Sequence, residues 1–119
     1  IVDYASEWVG VTPYVGWQNR MTENGISNSL TDGTDCSGFV SLVYNEYGID
    51  MPAASDAYQE MSNTDYENLE PGDVVVYRNG GHVGIYAGDD TIIHCSNEES
   101  GTIQSDMWYD TPTGYVHVE

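Results

Sequence analysis

The spacing of apolar residues changes along this chain, and that change constrains the fold more than any other feature. Between positions 36 and 47 apolar residues recur at intervals of three and four, and Gly48 follows as a stop signal, which predicts an amphipathic helix. Shorter helices are predicted at 1–9 and 55–61. Beyond them, apolar runs bounded by turn residues predict strands at 73–77, 82–87, 91–95, 102–105 and 115–118. Helices first and strands later predict an α+β domain, with N-terminal helices packed on an antiparallel sheet of about five strands.

The size and charge of the chain limit what it can be and what it can bind. Its 119 residues are enough for a single domain, 1–119, which we expect to be excised from a longer protein. Twenty acidic residues against two basic ones give a net charge of -18, so nucleic acids and anionic membranes would be repelled. No apolar stretch approaches the ~20 residues of a membrane span. Whether the acids form a solvated surface, suit a salty habitat or attract cationic substrates is open.

The sequence contains two cysteines, which do not form a C-x-x-C pair. Cys36 is the more informative of the two, because it begins the predicted central helix. Unpaired amides at a helix N-terminus favour an anion, which we expect to lower the thiol pKa by about one unit. That shift leaves most of the thiol protonated near neutral pH, so a nucleophilic role requires a histidine partner. A disulfide between Cys36 and Cys95 also stays open, because spacing does not establish geometry.

Two of the three histidines are predicted to meet at one end of the sheet. His82 opens one predicted strand, directly after Gly80 and Gly81, and His94 lies near the end of the next strand. If the two strands form a hairpin through the turn at 88–90, antiparallel pairing brings the two imidazoles together. One could act as a base for Cys36 while the other orients it.

Other interpretations of these residues remain. A cysteine among small residues can be a buried filler, and a strand histidine can be structural, as His117 is expected to be. The four side chains of Cys36, His82, His94 and Cys95 could offer zinc ligands, but adjacent strand residues such as His94 and Cys95 point to opposite faces. We therefore expect no metal and no other cofactor.

Five segments of the chain, in order, resemble the NlpC/P60 cysteine peptidases of bacterial cell walls. They are "PYVGW" at 13–17, "DCSGFVSLVYNEYGIDMP" at 35–52, "LEPGDVVVY" at 69–77, "GHVGIYAG" at 81–88 and "IIHCS" at 92–96. The resemblance implies a papain-like α+β fold. It also implies a catalytic triad with Cys36 as the nucleophile, His82 as the general base and acid, and His94 as the orienting residue.

The resemblance also implies residues that bind substrate. Tyr14 is similar to a family tyrosine that lines the groove near the reacting carbonyl. Asp35 and Ser37 flank the cysteine at positions that hold a free L-alanine amine in some members, although Asp35 could equally cap the helix. Trp17 and Gly81, within the matching segments, are the remaining candidates.

The activity implied is hydrolysis of peptidoglycan stem peptides, most often between γ-D-glutamate and meso-diaminopimelate or lysine. Such a protein would be a monomer that is secreted or associated with the cell wall. A Cys-His amidase or transferase acting on another amide, and a non-catalytic wall-binding module, are the alternatives. The chain departs from the family pattern in a longer loop before the cysteine, 19–33, which includes Arg20, and in lacking a basic residue after Pro52.

Overall fold

Helices packed on an antiparallel sheet form the structure, which is a computed structural model that describes residues 1–15 and 29–118. Within those residues the α-helices are α1 (Val2–Ser6), α2 (Cys36–Asn45) and α3 (Ser55–Met61), and 3-10 turns cover Tyr66–Asn68 and Met107–Tyr109. The strands are β1 (Val74–Tyr77), β2 (His82–Gly88), β3 (Thr91–Asn97), β4 (Gly101–Asp106) and β5 (Pro112–Val116). They pair in the order β4-β3-β2-β1-β5, all antiparallel. The predicted α+β class is confirmed.

The two faces of the sheet carry different cores because side chains alternate along each strand. Val74, Val76, Val83 and Ile93 face the helices and pack with Phe39 and other residues of α2. The opposite face carries a smaller cluster of Val75, Tyr77, Tyr86, Ile92 and Met107. Burying each such aliphatic or aromatic side chain stabilises the fold by roughly 1.5–3 kcal/mol. The larger core therefore fixes α2 against β2 and β3.

Several element ends differ from the predicted ones for identifiable reasons. The central helix ends at Asn45, because the next three amides, those of Glu46, Tyr47 and Gly48, bond three residues back in the tighter 3-10 manner. Gly48 then turns the chain at φ +73°. The last strand begins at Pro112 and ends at Val116, earlier than 115–118. The amides of His117 and Val118 instead bond the side chains of Asn63 and Asp73, which takes them out of the sheet.

The turn between β1 and β2 positions the start of β2. Tyr77 pairs with His82 across it, and Gly80 adopts φ +103. A Cβ on Gly80 would lie 2.8 Å from the Cα of Asp56 in α3, so only glycine fits there. The turn therefore lies directly against α3.

Candidate active site

Cys36 is the first residue of α2, and the residues around it build a capped helix tip. The Asp35 side chain accepts a hydrogen bond from the amide of Gly38 at 2.8 Å, which satisfies one of the unpaired amides of the first turn. Ser37 donates its hydroxyl to the same carboxylate oxygen at 3.4 Å. The Cys36 side chain is buried, although 8% of the residue's surface remains accessible to solvent. Asp35 therefore caps the helix, which is one of the two roles that the sequence allowed for it.

The thiol of Cys36 is held protonated at rest. Burial raises its pKa, and the nearby Asp35 charge raises it further, while backbone amides of Val83, Ser37 and Cys36 itself stabilise the thiolate. The amide contribution is the one predicted for a helix tip, but burial outweighs it, so the expected lowering of about one unit is wrong in sign. Since Val83 directly follows His82 in β2, the hydrogen bond with the Val83 amide places the Cys36 sulfur near the start of that strand.

The two strand histidines form a hydrogen-bonded pair. His82 Nε2 and His94 Nδ1 lie 2.7 Å apart, and both residues are buried. The pair arises from the predicted hairpin, in which Ile85 of β2 lies opposite Ile93 of β3. Gly84 makes the approach possible, since a Cβ there would lie only 3.1 Å from the Cβ of His94.

Both imidazoles are neutral near physiological pH. Burial lowers the pKa of His82 to about 4, with a further lowering from the Arg78 charge. Burial lowers the pKa of His94 to about 3, with contributions from His82 and Arg78. A neutral imidazole has one donor and one acceptor nitrogen, so the pair can pass a proton without either ring carrying a permanent charge.

Ser105 and Tyr109 also contact the histidine pair, and the sequence did not indicate either. The Ser105 hydroxyl of β4 lies 2.8 Å from His94 Nε2. The Tyr109 ring lies 5.4 Å from the His94 ring and 6.5 Å from the His82 ring, measured between centroids, and the residue is 46% exposed. Ser105 ends a predicted strand, so the register of that strand could have identified it. Tyr109 lies in none of the predicted strands, so no predicted strand register could have placed it beside the histidines.

Tyr14 lies near the thiol on a segment tied to the residues before Cys36. A short parallel bridge joins Tyr14 to Thr34, and the Val15 amide donates to Thr34 O at 3.0 Å. Burial raises the pKa of the Tyr14 hydroxyl, and the charge of Cys36 is the next largest cause. Cys95 secures the same segment, since its thiol donates to Thr34 O at 3.5 Å.

The remaining substrate-binding candidates are Ser37, which is buried, Gly81, which closes a turn, and Trp17. Ser37 is 2% exposed, and its hydroxyl faces Asp35. The Gly81 amide donates to Tyr77 O at 3.0 Å, so it closes the turn before His82. Trp17, like Arg20 and most of the 19–33 loop, lies outside the described residues.

Cys95 and His117 take structural positions. Both cysteines are free, and burial raises the pKa of Cys95 to about 12. Cys95 packs on the helix side of the sheet, away from the face that carries His94, as the alternation of strand residues predicted. His117 Nδ1 lies 2.9 Å from the buried carboxylate of Asp73.

Two negative findings apply to the described ranges 1–15 and 29–118. No group of three or more His, Cys, Asp or Glu side chains in them is arranged to hold a metal ion. No helix in them has the length and apolar character needed to cross a membrane.

Comparisons with known proteins bear on the fold and the family of the chain. The sequence profile of the NlpC/P60 family matches residues 11–116. Among solved structures, the NlpC/p60 domain of the peptidoglycan hydrolase SagA superposes with a TM-score of 0.78 at 23% identity, covering 98% of this chain and 95% of that one. At that identity the likeness establishes the fold.

Two curated relatives are more similar in sequence. The murein DD-endopeptidase MepS/murein LD-carboxypeptidase of Escherichia coli is 36% identical over 90% of this chain and 53% of its own length. The gamma-DL-glutamyl hydrolase of Bacillus subtilis is 33% identical over 96% of this chain and 28% of its own length. The chain thus spans about half or less of these relatives.

Proposed function

Because the chain belongs to the NlpC/P60 family, we propose that it is a cysteine peptidase that cleaves peptidoglycan stem peptides. Cys36 is the nucleophile, His82 the general base and acid, and His94 the residue that orients His82. The observation that carries the proposal is the 2.7 Å contact between the two imidazoles, combined with a thiol at a helix tip that contacts the amide of Val83, the residue after His82. Nucleophile, base and orienting group are the three parts that this chemistry requires.

The first chemical step follows from the protonation states at rest. His82 Nε2 is hydrogen-bonded to His94, which leaves His82 Nδ1 to accept the thiol proton. As the sulfur attacks the carbonyl carbon, the thiol proton moves to His82, so that thiolate and imidazolium form during the attack. Burial disfavours either charge in isolation, but the two form together and offset each other's cost.

The remaining steps return the enzyme to its starting state. The amide of Cys36 or Ser37 at the helix tip, together with the Tyr14 hydroxyl, donates hydrogen bonds to the oxyanion. His82 then gives its proton to the leaving amine, and the acyl group stays on Cys36. Water then attacks the thioester while His82 takes one of its protons. The carbon–sulfur bond breaks, the acid product leaves, and His82 returns the proton to the Cys36 sulfur.

We assign the cleaved bond to the link between γ-D-glutamate and the diamino acid, meso-diaminopimelate or lysine. The name of the Bacillus subtilis relative concerns γ-glutamyl hydrolysis, which supports this assignment. The name of the Escherichia coli relative supports a second candidate, a bond between two D-centres of crosslinked stems. Stem peptides are then the partner of a monomer that is secreted or associated with the wall.

Mass spectrometry of fragments from defined muropeptides tests the proposal. Incubating the purified chain with uncrosslinked and crosslinked stems is expected to release L-alanyl-γ-D-glutamate and a fragment that begins with the diamino acid. Conversion of crosslinked dimers to intact monomers would instead assign the bond between D-centres. If neither product forms while a known hydrolase digests the same material, the proposed activity is wrong.

A conservative change at Asp35 tests recognition of the substrate amine. Asp35→Asn keeps an oxygen that can accept from the Gly38 amide, so the helix cap survives while the charge is lost. We expect the preference for a stem with a free L-alanine amine over its N-acetylated form to fall about tenfold, as for a hydrogen bond to a charged group. The measurement is the ratio of kcat/KM values for the two substrates.

Asp32→Asn is the matched control for that change, since it removes the same charge three residues earlier, on an exposed turn. It should leave the substrate preference at the parent value. An Asp35→Asn variant with an unchanged melting temperature and an unchanged preference would limit Asp35 to capping the helix.

A further inference from the structure

A line of hydrogen bonds crosses three neighbouring strands on the face opposite the helices. It runs from His82 of β2 to His94 of β3 at 2.7 Å, and from His94 Nε2 to the Ser105 hydroxyl of β4 at 2.8 Å. The register accounts for it: Ile103 lies opposite His94, and Ser105 is the next residue of β4 on the same face. The line therefore ends at a hydroxyl on an edge strand of the sheet.

The chemistry of the attack fixes the direction of these hydrogen bonds. Once His82 has taken the thiol proton, both of its ring nitrogens are donors, so Nε2–H must donate to Nδ1 of His94. His94 remains neutral, because burial holds its pKa near 3, and its one proton must then be on Nε2. That N–H is buried and needs an acceptor, and Ser105 Oγ lies within hydrogen-bond distance at 2.8 Å.

At rest the same line can run in either direction. A serine hydroxyl donates or accepts, so Ser105 could donate to His94 Nε2, and His94 Nδ1–H could donate to His82 Nε2. His82 would then carry its proton on Nδ1, the nitrogen that must accept the thiol proton, and could not act as a base. The direction of the whole line thus depends on whether the Ser105 hydroxyl accepts a hydrogen bond from His94 or donates one to it.

We propose that Ser105 is a positioning residue for the reaction. By accepting from His94 Nε2–H, it holds both histidines in the tautomers that leave His82 Nδ1 ready for the Cys36 proton. Its hydrogen bond strengthens as His82 becomes charged, so it stabilises the transition state more than the bound substrate. This inference rests on the proposed function, since it gives Ser105 a part in the same reaction.

Three substitutions separate this role from a packing role. Ser105→Ala should lower kcat about tenfold with KM unchanged, as expected for one lost hydrogen bond in a charged transition state. Ser105→Thr keeps the hydroxyl and suits a strand, so it should restore kcat to within about twofold of the parent. In a His94→Ala background, Ser105→Ala should cause no further loss, because the partner of the hydroxyl is already absent.

Nitrogen NMR of the histidine rings gives a readout that needs no substrate. In the parent, His94 is expected mainly as the tautomer protonated on Nε2, and in Ser105→Ala as a mixture of both tautomers. An unchanged tautomer together with an unchanged kcat would overturn the proposal. An equal loss of kcat in the parent and His94→Ala backgrounds would also overturn it, by assigning Ser105 to packing. If the parent hydrolyses no stem peptide, the proposed function fails, while the tautomer measurement still decides the role of Ser105.

Discussion

Replacing Cys36 by Ala is expected to lower turnover of stem peptides by at least about 10⁴-fold, since the variant lacks the thiol that forms the acyl-enzyme in the proposed mechanism. His82→Gln should have a similarly large effect, because the thiol is protonated at rest and needs this base. His94→Gln should cost less, about 10²-fold, since in the proposed mechanism His94 orients His82 and does not touch the substrate. The measurement is the single-turnover rate on the muropeptide that the parent cleaves.

The chain supplies one control for the cysteine change and one for the two histidine changes. Cys95→Ser removes the other thiol but keeps a donor for Thr34 O, and His117→Gln alters the histidine that pairs with Asp73. Both variants should retain turnover within about threefold of the parent, as most substitutions outside a catalytic group do. Parent-like release of fragments by Cys36→Ala would remove Cys36 from the mechanism and leave a different nucleophile to be found.

The sequence was informative about the histidine pair because the relevant rules are local. A turn at 88–90 fixes a hairpin, and a hairpin fixes which ends of two strands meet, so His82 and His94 could be brought together from spacing alone. The helix beginning at Cys36 is equally local, since its apolar period and its cap lie within a few residues. These predictions needed no knowledge of the rest of the molecule.

The features that escaped prediction depend on how distant parts of the chain pack. Ser105 joins the site only through the register of β4 on β3, and Tyr109 only because the turn after β4 crosses back over the histidines. The sign of the Cys36 pKa shift was missed for the same reason. A helix tip is visible in the sequence, but the burial that outweighs it comes from the core beneath α2. The role of Trp17 stays a prediction.

The second large effect concerns the pH at which the thiol reacts. Burial raises the pKa of Cys36, and no imidazolium stands beside it above about pH 5, because the pKa values of His82 and His94 are about 4 and about 3. The thiolate is the reactive form. Alkylation of Cys36 by iodoacetamide should therefore rise about tenfold with each pH unit from 6 to 9. Peptide mapping assigns the label to Cys36, and His82→Gln should leave this profile nearly unchanged.

Peptide hydrolysis should follow a different profile in the same protein. The lowered pKa of His82 keeps the base neutral and competent as the pH falls below 6.5, and activity should be lost only near pH 4. Turnover at pH 6, where alkylation is slow, would mean that the thiol loses its proton during attack on the substrate. A flat alkylation profile down to pH 5 that His82→Gln abolishes would instead establish a preformed thiolate–imidazolium pair. The comparison of the two profiles thus decides when the proton leaves Cys36, which determines whether the buried, neutral site is the reactive form of the enzyme.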